Sequence, residues 1–300
     1  MTRRKRRGSS GPGRRAFFVL LAVLLGVAGY WTCGRRRAPE PLPPVPAKTP
    51  SPAAARPGTR PTDVPADFEP ASRSARGVVA LVIDDVGWDD TALAPLADLD
   101  APLALSVLPG TPRAAEAIAL AKTKGWDLML HLPMEPDAGR TEKETILISD
   151  DDATIRARVA AALAKVPGAI GLNNHQGSKA TADARVVRAV LSVVKERGLF
   201  FLDSRTTVAS QGERAAHSLG VPFLARDVFL DDAAAEAKDA AGSSGALDAA
   251  WEKAVAVAKA KGQVVVIGHP HRESVAFLAE RLPALGRQGL RAVRVSELVP

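Results

Sequence analysis

The 300-residue sequence has one cysteine, Cys33, so no disulfide can form within the chain. It has no acidic residue before Glu40, although ten basic ones lie in that stretch: Arg3, Arg4, Lys5, Arg6, Arg7, Arg14, Arg15, Arg35, Arg36 and Arg37. The formal net charge of +7 therefore belongs to one end. Removing those ten from the 40 Lys and Arg leaves 30 basic residues against 33 acidic ones, a balance of −3. A mildly acidic body excludes nucleic acid as the partner that a pI near 9.8 suggests. No internal repeat is visible, and no glycine-rich dinucleotide turn follows the first strand-like run.

What is present begins with the segment Ala16–Cys33, AFFVLLAVLLGVAGYWTC, which carries no charge. About 18 residues at 1.5 Å rise span roughly 27 Å, enough for a thin bilayer core. Residues 1–15 then read as a basic cytoplasmic tail and 16–33 as a single-pass anchor in the inner membrane, N-terminus inside, with Tyr30 and Trp31 at an interface. A cleaved signal peptide is the other reading, and no small-x-small site follows cleanly. Residues 34–76 are rich in proline and poor in apolar side chains, as in an extended tether. Residues 77–300 remain as one exported domain.

That domain alternates strand-like and helix-like segments. Apolar runs occur at VVALVID (78–84), LALSVL (103–108), DLMLHL (127–132), AIGLNN (169–174), LFFLDS (199–204), VPFLARDVFL (221–230), QVVVIGH (263–269) and LRAVRV (290–295). Runs apolar on both faces suit parallel strands covered by helices. Thr111-Pro112 reads as a helix cap followed by proline, and glycines end the helical stretches at Gly125, Gly168, Gly198 and Gly262. Seven or eight such units predict an α/β fold, an irregular (β/α)7–8 barrel, with an open doubly wound sheet as the alternative.

The unusual polar residues fall at strand C-terminal ends: Asp84 and Asp85 after the first run, His131 at the third, His175 after the fourth, Asp203 and Arg205 at the fifth, His269 and His271 at the seventh. Parallel α/β folds assemble their sites on that edge. Histidine nitrogens with a carboxylate oxygen make a shell for zinc or a similar divalent ion, and a second carboxylate can take a proton from water. Because successive strand residues point opposite ways, Asp84 and Asp85 should not share one role. Gly177 permits a positive-φ turn that aims His175 over the barrel mouth, with Asn174 and Ser178 placed to orient it or touch substrate. His269 can donate a proton to a leaving group. Trp88 suits either a sugar ring or the edge of the core, and His217, mid-helix, reads as structural.

LVIDDVG, LSVLPGTP, HLPMEP, GLNNHQGSKAT, FLDSRT, VFLDD and IGHPH, in that order, resemble the divergent polysaccharide deacetylase family, within the NodB-homology group, over about residues 79–300. The resemblance implies a distorted (β/α) barrel and metal-dependent removal of N-acetyl groups from a polymeric sugar such as a cell-wall glycan. By motif, Asp84 matches the general base, Asp85 the metal-binding acid, His131 the first metal histidine and His269 the acid; Asp203 falls near an aspartate that tunes this last histidine. The family's second metal histidine comes four residues after the first, and here that position is Glu135. Either Glu135 ligates or His175 completes the shell with Asp85 and His131, and His175 is favoured. Arg205 and His271 are candidates to support Asp84 or hold the glycan. Two other readings stand beside deacetylation: a membrane-tethered glycan-binding module without chemistry, and hydrolysis of a phosphoester, for which Arg205 and Lys179 supply few cations.

Overall fold

The segment Gly77–Val86 (β1) is apolar on both faces because both faces are covered. In the computed structural model, which describes residues 76–88, 93–237 and 239–300, β1 is the hub of one sheet in which every paired strand is parallel. The others are β2 (Ala104–Val107), β3 (Asp127–Met134), β4 (Gly171–Gln176), β5 (Phe200–Asp203), β6 (Phe223–Ala225), β7 (Val228–Phe229), β8 (Gln263–Gly268) and β9 (Leu290–Val293). Their order is β6-β5-β4-β3-β2-β1-β8-β7, with β9 on the first half of β1.

The expected closed barrel is therefore a half-barrel. The run 221–230 is not one strand: it breaks after Ala225, and β6 and β7 form opposite ends of the sheet, with no ladder between them among the described residues. The chain itself crosses the gap. Arg226 N donates to Asp203 O on one side, and Asp227 N donates to Val265 O on the other.

Eight helices are described: α1 (Leu93–Ala97), α2 (Ala114–Lys124), α3 (Asp152–Lys165), α4 (Ala184–Glu196), α5 (Gly212–Leu219), α6 (Asp232–Ala235), α7 (Ala240–Lys261) and α8 (Arg272–Arg281). Asp151 caps α3 by accepting from Thr154 N, and Asp183 caps α4 through Arg185 N and Val186 N. Thr111 does not cap α2; its hydroxyl donates to Leu108 O, and the helix begins at Ala114. Helix α7 starts at Ala240, where Asp239 caps it by accepting from Gly242 N, and ends at Gly262 as the sequence suggests. Among the described residues no helix is long and apolar enough to cross a membrane; the expected anchor, residues 16–33, lies outside them, as does the basic tail and all of the linker but Arg76.

Strand alternation sorts the core into two layers. Val79, Leu81, Ile83, Leu105, Leu128, Leu130 and Leu172 pack outward against the helices. Ala80, Val82, Ala104, Met129, Phe200, Leu202, Val265 and Ile267 fill the concave side, where Val293 and Val295 also pack. The concave layer carries the site.

Candidate functional site

Following the concave face along each strand leads out of hydrocarbon into polar groups. Ala80 and Val82 are succeeded by Asp84, Ala104 by Ser106, Met129 by His131, Phe200 and Leu202 by Ser204, and Val265 and Ile267 by His269. On β4, Asn173 pairs with His131 across the ladder, and His175 follows two residues on, opposite Pro133. A period of two thus aims Asp84, His131, His175, Ser204 and His269 into one cleft, with Ser106 and Asn173 buried beneath it. Both strands run past their expected ends, so His131 lies within β3 and His175 within β4.

Asp85 is out of phase with this face. Alternation predicts that it points away from Asp84, yet both line one cleft of about 430 Å³. The cause is a bulge in β1: the register with β2 runs Ile83↔Leu105 and then Val86↔Val107, so β1 advances one residue more than its partner. Asp85 takes the extra position at φ 57°, a left-handed conformation that aspartate tolerates better than most residues.

The bulge sets Asp85 Oδ1 2.7 Å from His175 Nδ1 and 3.1 Å from His131 Nε2, and those nitrogens lie 3.3 Å apart. Oδ1 is buried yet has no hydrogen-bond partner of acceptable geometry. An orphaned carboxylate oxygen facing two imidazole nitrogens, all within 4.8 Å of one another, fits a divalent ion. Ligand atoms of a tetrahedral zinc site with bonds of about 2.0–2.1 Å stand roughly 3.3 Å apart, close to this triangle. Burial disfavours the charged form of Asp85, but the two histidines outweigh it and hold its carboxyl far below the usual range. At His131 burial opposes the imidazolium, yet Asp84 and Asp85 together raise the pKa.

Beneath the triangle, the buried Asn173 organises three strands. Its Oδ1 accepts from Ser106 Oγ and stands 3.0 Å from His131 Nδ1. Its Nδ2 donates to both Asp84 oxygens, at 2.8 and 3.0 Å, and to Ser204 Oγ. With Nδ1–H committed to Asn173, His131 presents the lone pair of Nε2 to the triangle. Asp84 is 2% exposed, and burial raises its pKa more than His131, Asn173 and His269 lower it.

On the opposite wall, His269 Nδ1 lies 2.8 Å from Asp231 Oδ1, while Asp231 Oδ2 accepts from His269 N and Ser274 Oγ. Burial opposes the imidazolium, but Asp231 outweighs it and carries the His269 pKa up to about 9. The aspartate facing His269 is thus Asp231, not Asp203. Asp203 accepts from Arg205 N and Ser210 Oγ and serves its own loop. Phe229 stacks on His269 at 6.1 Å, and His271, exposed ahead of α8, lies 5.8 Å from the same ring.

Several expected residues stand apart. Glu135 is 2.5 Å from Lys179 Nζ and accepts from Ile148 N, so its carboxylate is committed outside the triangle and is held below its usual pKa by Lys179. Ser178 accepts from Asp137 N. Asn174 lines the cleft, but its amide ties Gln176 O to Ser204 N. Trp88, 53% exposed, borders a neighbouring cavity with Glu142 and Lys165. Arg205 lines the cleft and pairs with Glu213 at 3.1 Å. Sequence reasoning missed Asn173 and Asp231. Asn173 is told from Asn174 only by its register with His131, and Asp231 stands in the VFLDD run, while the motif match gives the role of the tuning aspartate to Asp203.

Residues 81–299 match the family described as divergent polysaccharide deacetylase. The chain is 33% identical over 205 residues to the uncharacterized protein YibQ of Escherichia coli, a match covering 68% of this chain and 62% of that one. An uncharacterized protein of Haemophilus influenzae is likewise 33% identical over 205 residues, covering 68% of this chain and 70% of its own. Among solved structures, the uncharacterized protein ATU2773 of Agrobacterium tumefaciens shares the fold, with a TM-score of 0.69 at 23% identity over 77% of this chain and 95% of that one. The matched span contains the whole cleft, from Asp84 to His269, and the chain belongs to the divergent polysaccharide deacetylase family.

Proposed function

We propose that the domain is a hydrolase that removes N-acetyl groups from a polymeric sugar, with a divalent ion, zinc as the leading candidate, held by Asp85, His131 and His175. The observation that carries this reading is the orphaned Asp85 Oδ1 facing two histidine nitrogens, with a buried carboxylate and a histidine–aspartate pair in the same cleft. Such an ion, when bound, polarises the acetyl carbonyl and acidifies water.

The chain's own groups do the rest. Asp84, made more basic by burial and held by Asn173, takes the proton of the attacking water. His269, kept protonated by Asp231, gives a proton to the departing nitrogen. The amide C–N bond breaks, water's oxygen ends in acetate, and the sugar keeps a free amine. Asn173 fixes the His131 ring, and Asp231 fixes that of His269 through Nδ1.

The charge-free segment 16–33, flanked by arginines, supports placement as a single-pass protein of the inner membrane, with the domain on the outer side and a cell-wall glycan such as peptidoglycan within reach. The test is metal content of the purified chain followed by acetate release from N-acetylated glycan. Metal near one equivalent with acetate release is the expected result. Glycan binding without acetate release reassigns the domain to a binding module on the same fold.

A further inference from the structure

The gap between β6 and β7 holds a cation that deacetylation does not use. Arg226, first residue after β6, lines the cleft. Its Nε donates to Ser204 O at 2.7 Å and its Nη2 to Arg205 O at 2.8 Å. Its guanidinium lies over the Phe229 ring, 3.7 Å from the centroid, and Phe229 in turn stacks on His269. The guanidinium is thus fixed in plane and position, one ring away from the histidine that faces the scissile nitrogen in the reading above.

Two carbonyls engage two of its five N–H donors. Among the described residues Nη1 has no hydrogen-bond partner and Arg226 forms no ion pair, although Asp232 lines the same cleft. Burial of this half-buried cation lowers its pKa, outweighing the nearby charges of Asp232, Asp203 and Asp227, none of which pairs with it directly. A clamp on two carbonyls does not require a stacked, preoriented fork with its outer end free. A carboxylate does, since its two oxygens match that end. A phosphate commonly gathers several cations, and Arg205, the other arginine here, is paired with Glu213.

We propose that Arg226 is an anion subsite, selecting a glycan that carries a carboxylate next to the N-acetylated sugar. This rests on the deacetylase reading for its register but not for its test. The carboxylate can come from a uronic acid on the neighbouring sugar or from a lactyl ether on an amino sugar, and both present the same group to Arg226.

The test is calorimetric binding to the full chain in detergent, using three tetrasaccharides: the neutral N-acetylglucosamine oligomer, one alternating N-acetylglucosamine with glucuronate, and one alternating N-acetylglucosamine with its lactyl ether. At least one acidic oligomer is expected to bind roughly tenfold tighter than the neutral one, about 1.4 kcal/mol. The identity of that oligomer names the source of the carboxylate. Both Arg226→Gln and Arg226→Lys are expected to bring the acidic-to-neutral affinity ratio to within about twofold of unity, because lysine keeps the charge but loses the fork. Equal affinity of the wild-type chain for all three oligomers, or no binding, overturns the subsite whatever the variants do. A ratio that survives in Arg226→Gln while the melting temperature falls makes Arg226 a loop clamp only. Acetate release without acid preference leaves deacetylation standing and removes the subsite; acid preference lost in Arg226→Gln, with no acetate released by wild type, does the reverse.

Discussion

Asn173 Oδ1 stands 3.0 Å from His131 Nδ1 while the same amide donates from Nδ2 to Asp84. One buried side chain therefore orients a metal-facing histidine and restrains the candidate base. Outer partners of ligating histidines commonly carry 10–100-fold of metal affinity. Asn173→Ala is expected to weaken zinc binding by about that factor and to lower kcat as well. Chelator competition measures the first effect; unchanged affinity with full turnover contradicts the assignment.

Asp84 and Asp85 are adjacent in sequence but not in task. Asp84→Asn should keep the metal and lower kcat by roughly 10²–10⁴-fold, the usual share of a general base. Asp85→Asn should lose metal and turnover together, because Oδ1 is one corner of the triangle. Elemental analysis beside acetate release separates the two, and an Asp84→Asn protein hydrolysing at the wild-type rate removes Asp84 from the mechanism.

His269 carries a pH signature. Its folded pKa, about 9, lies above its ordinary value of 6.5, so its contribution to stability is complete below about 6.5 and is lost as pH rises through about 9. Activity that needs its proton should fall along the same limb. Asp231→Asn, which removes the charge facing Nδ1, is expected to move that limb to lower pH. An NMR titration of the ring reads this without turnover; an unshifted midpoint contradicts the pairing.

Gly177 lies at φ 87°, and a Cβ there would come within 2.9 Å of Met134 Cβ. Gly177→Ala should destabilise the fold by roughly 1–3 kcal/mol, read as a lower urea midpoint, and should displace the turn that follows His175. An unchanged midpoint contradicts the strain at this turn.

Much of this was legible in the sequence because period and chemistry agreed. Runs apolar on both faces gave the parallel sheet, and the strand-end residues Asp84, His131, His175 and His269 share a cleft because side chains two apart share a face. Three features were not legible, each for a local reason. The bulge at Asp85 changes neither composition nor hydropathy, so nothing announced that two successive aspartates turn the same way. The break at Arg226–Asp227 lies inside an apolar run, which hid the open seam. Asn173 and Asn174 look alike in sequence, and only the register with His131 assigns one to the metal-facing ring and the other to a loop.

The most direct test of the central claim is anomalous diffraction at the zinc edge from crystals of the zinc-loaded protein. A single strong peak bounded by Asp85 Oδ1, His131 Nε2 and His175 Nδ1 is the predicted result. A peak at Asp231, His269 and His271 instead, or no peak within reach of His131, contradicts it.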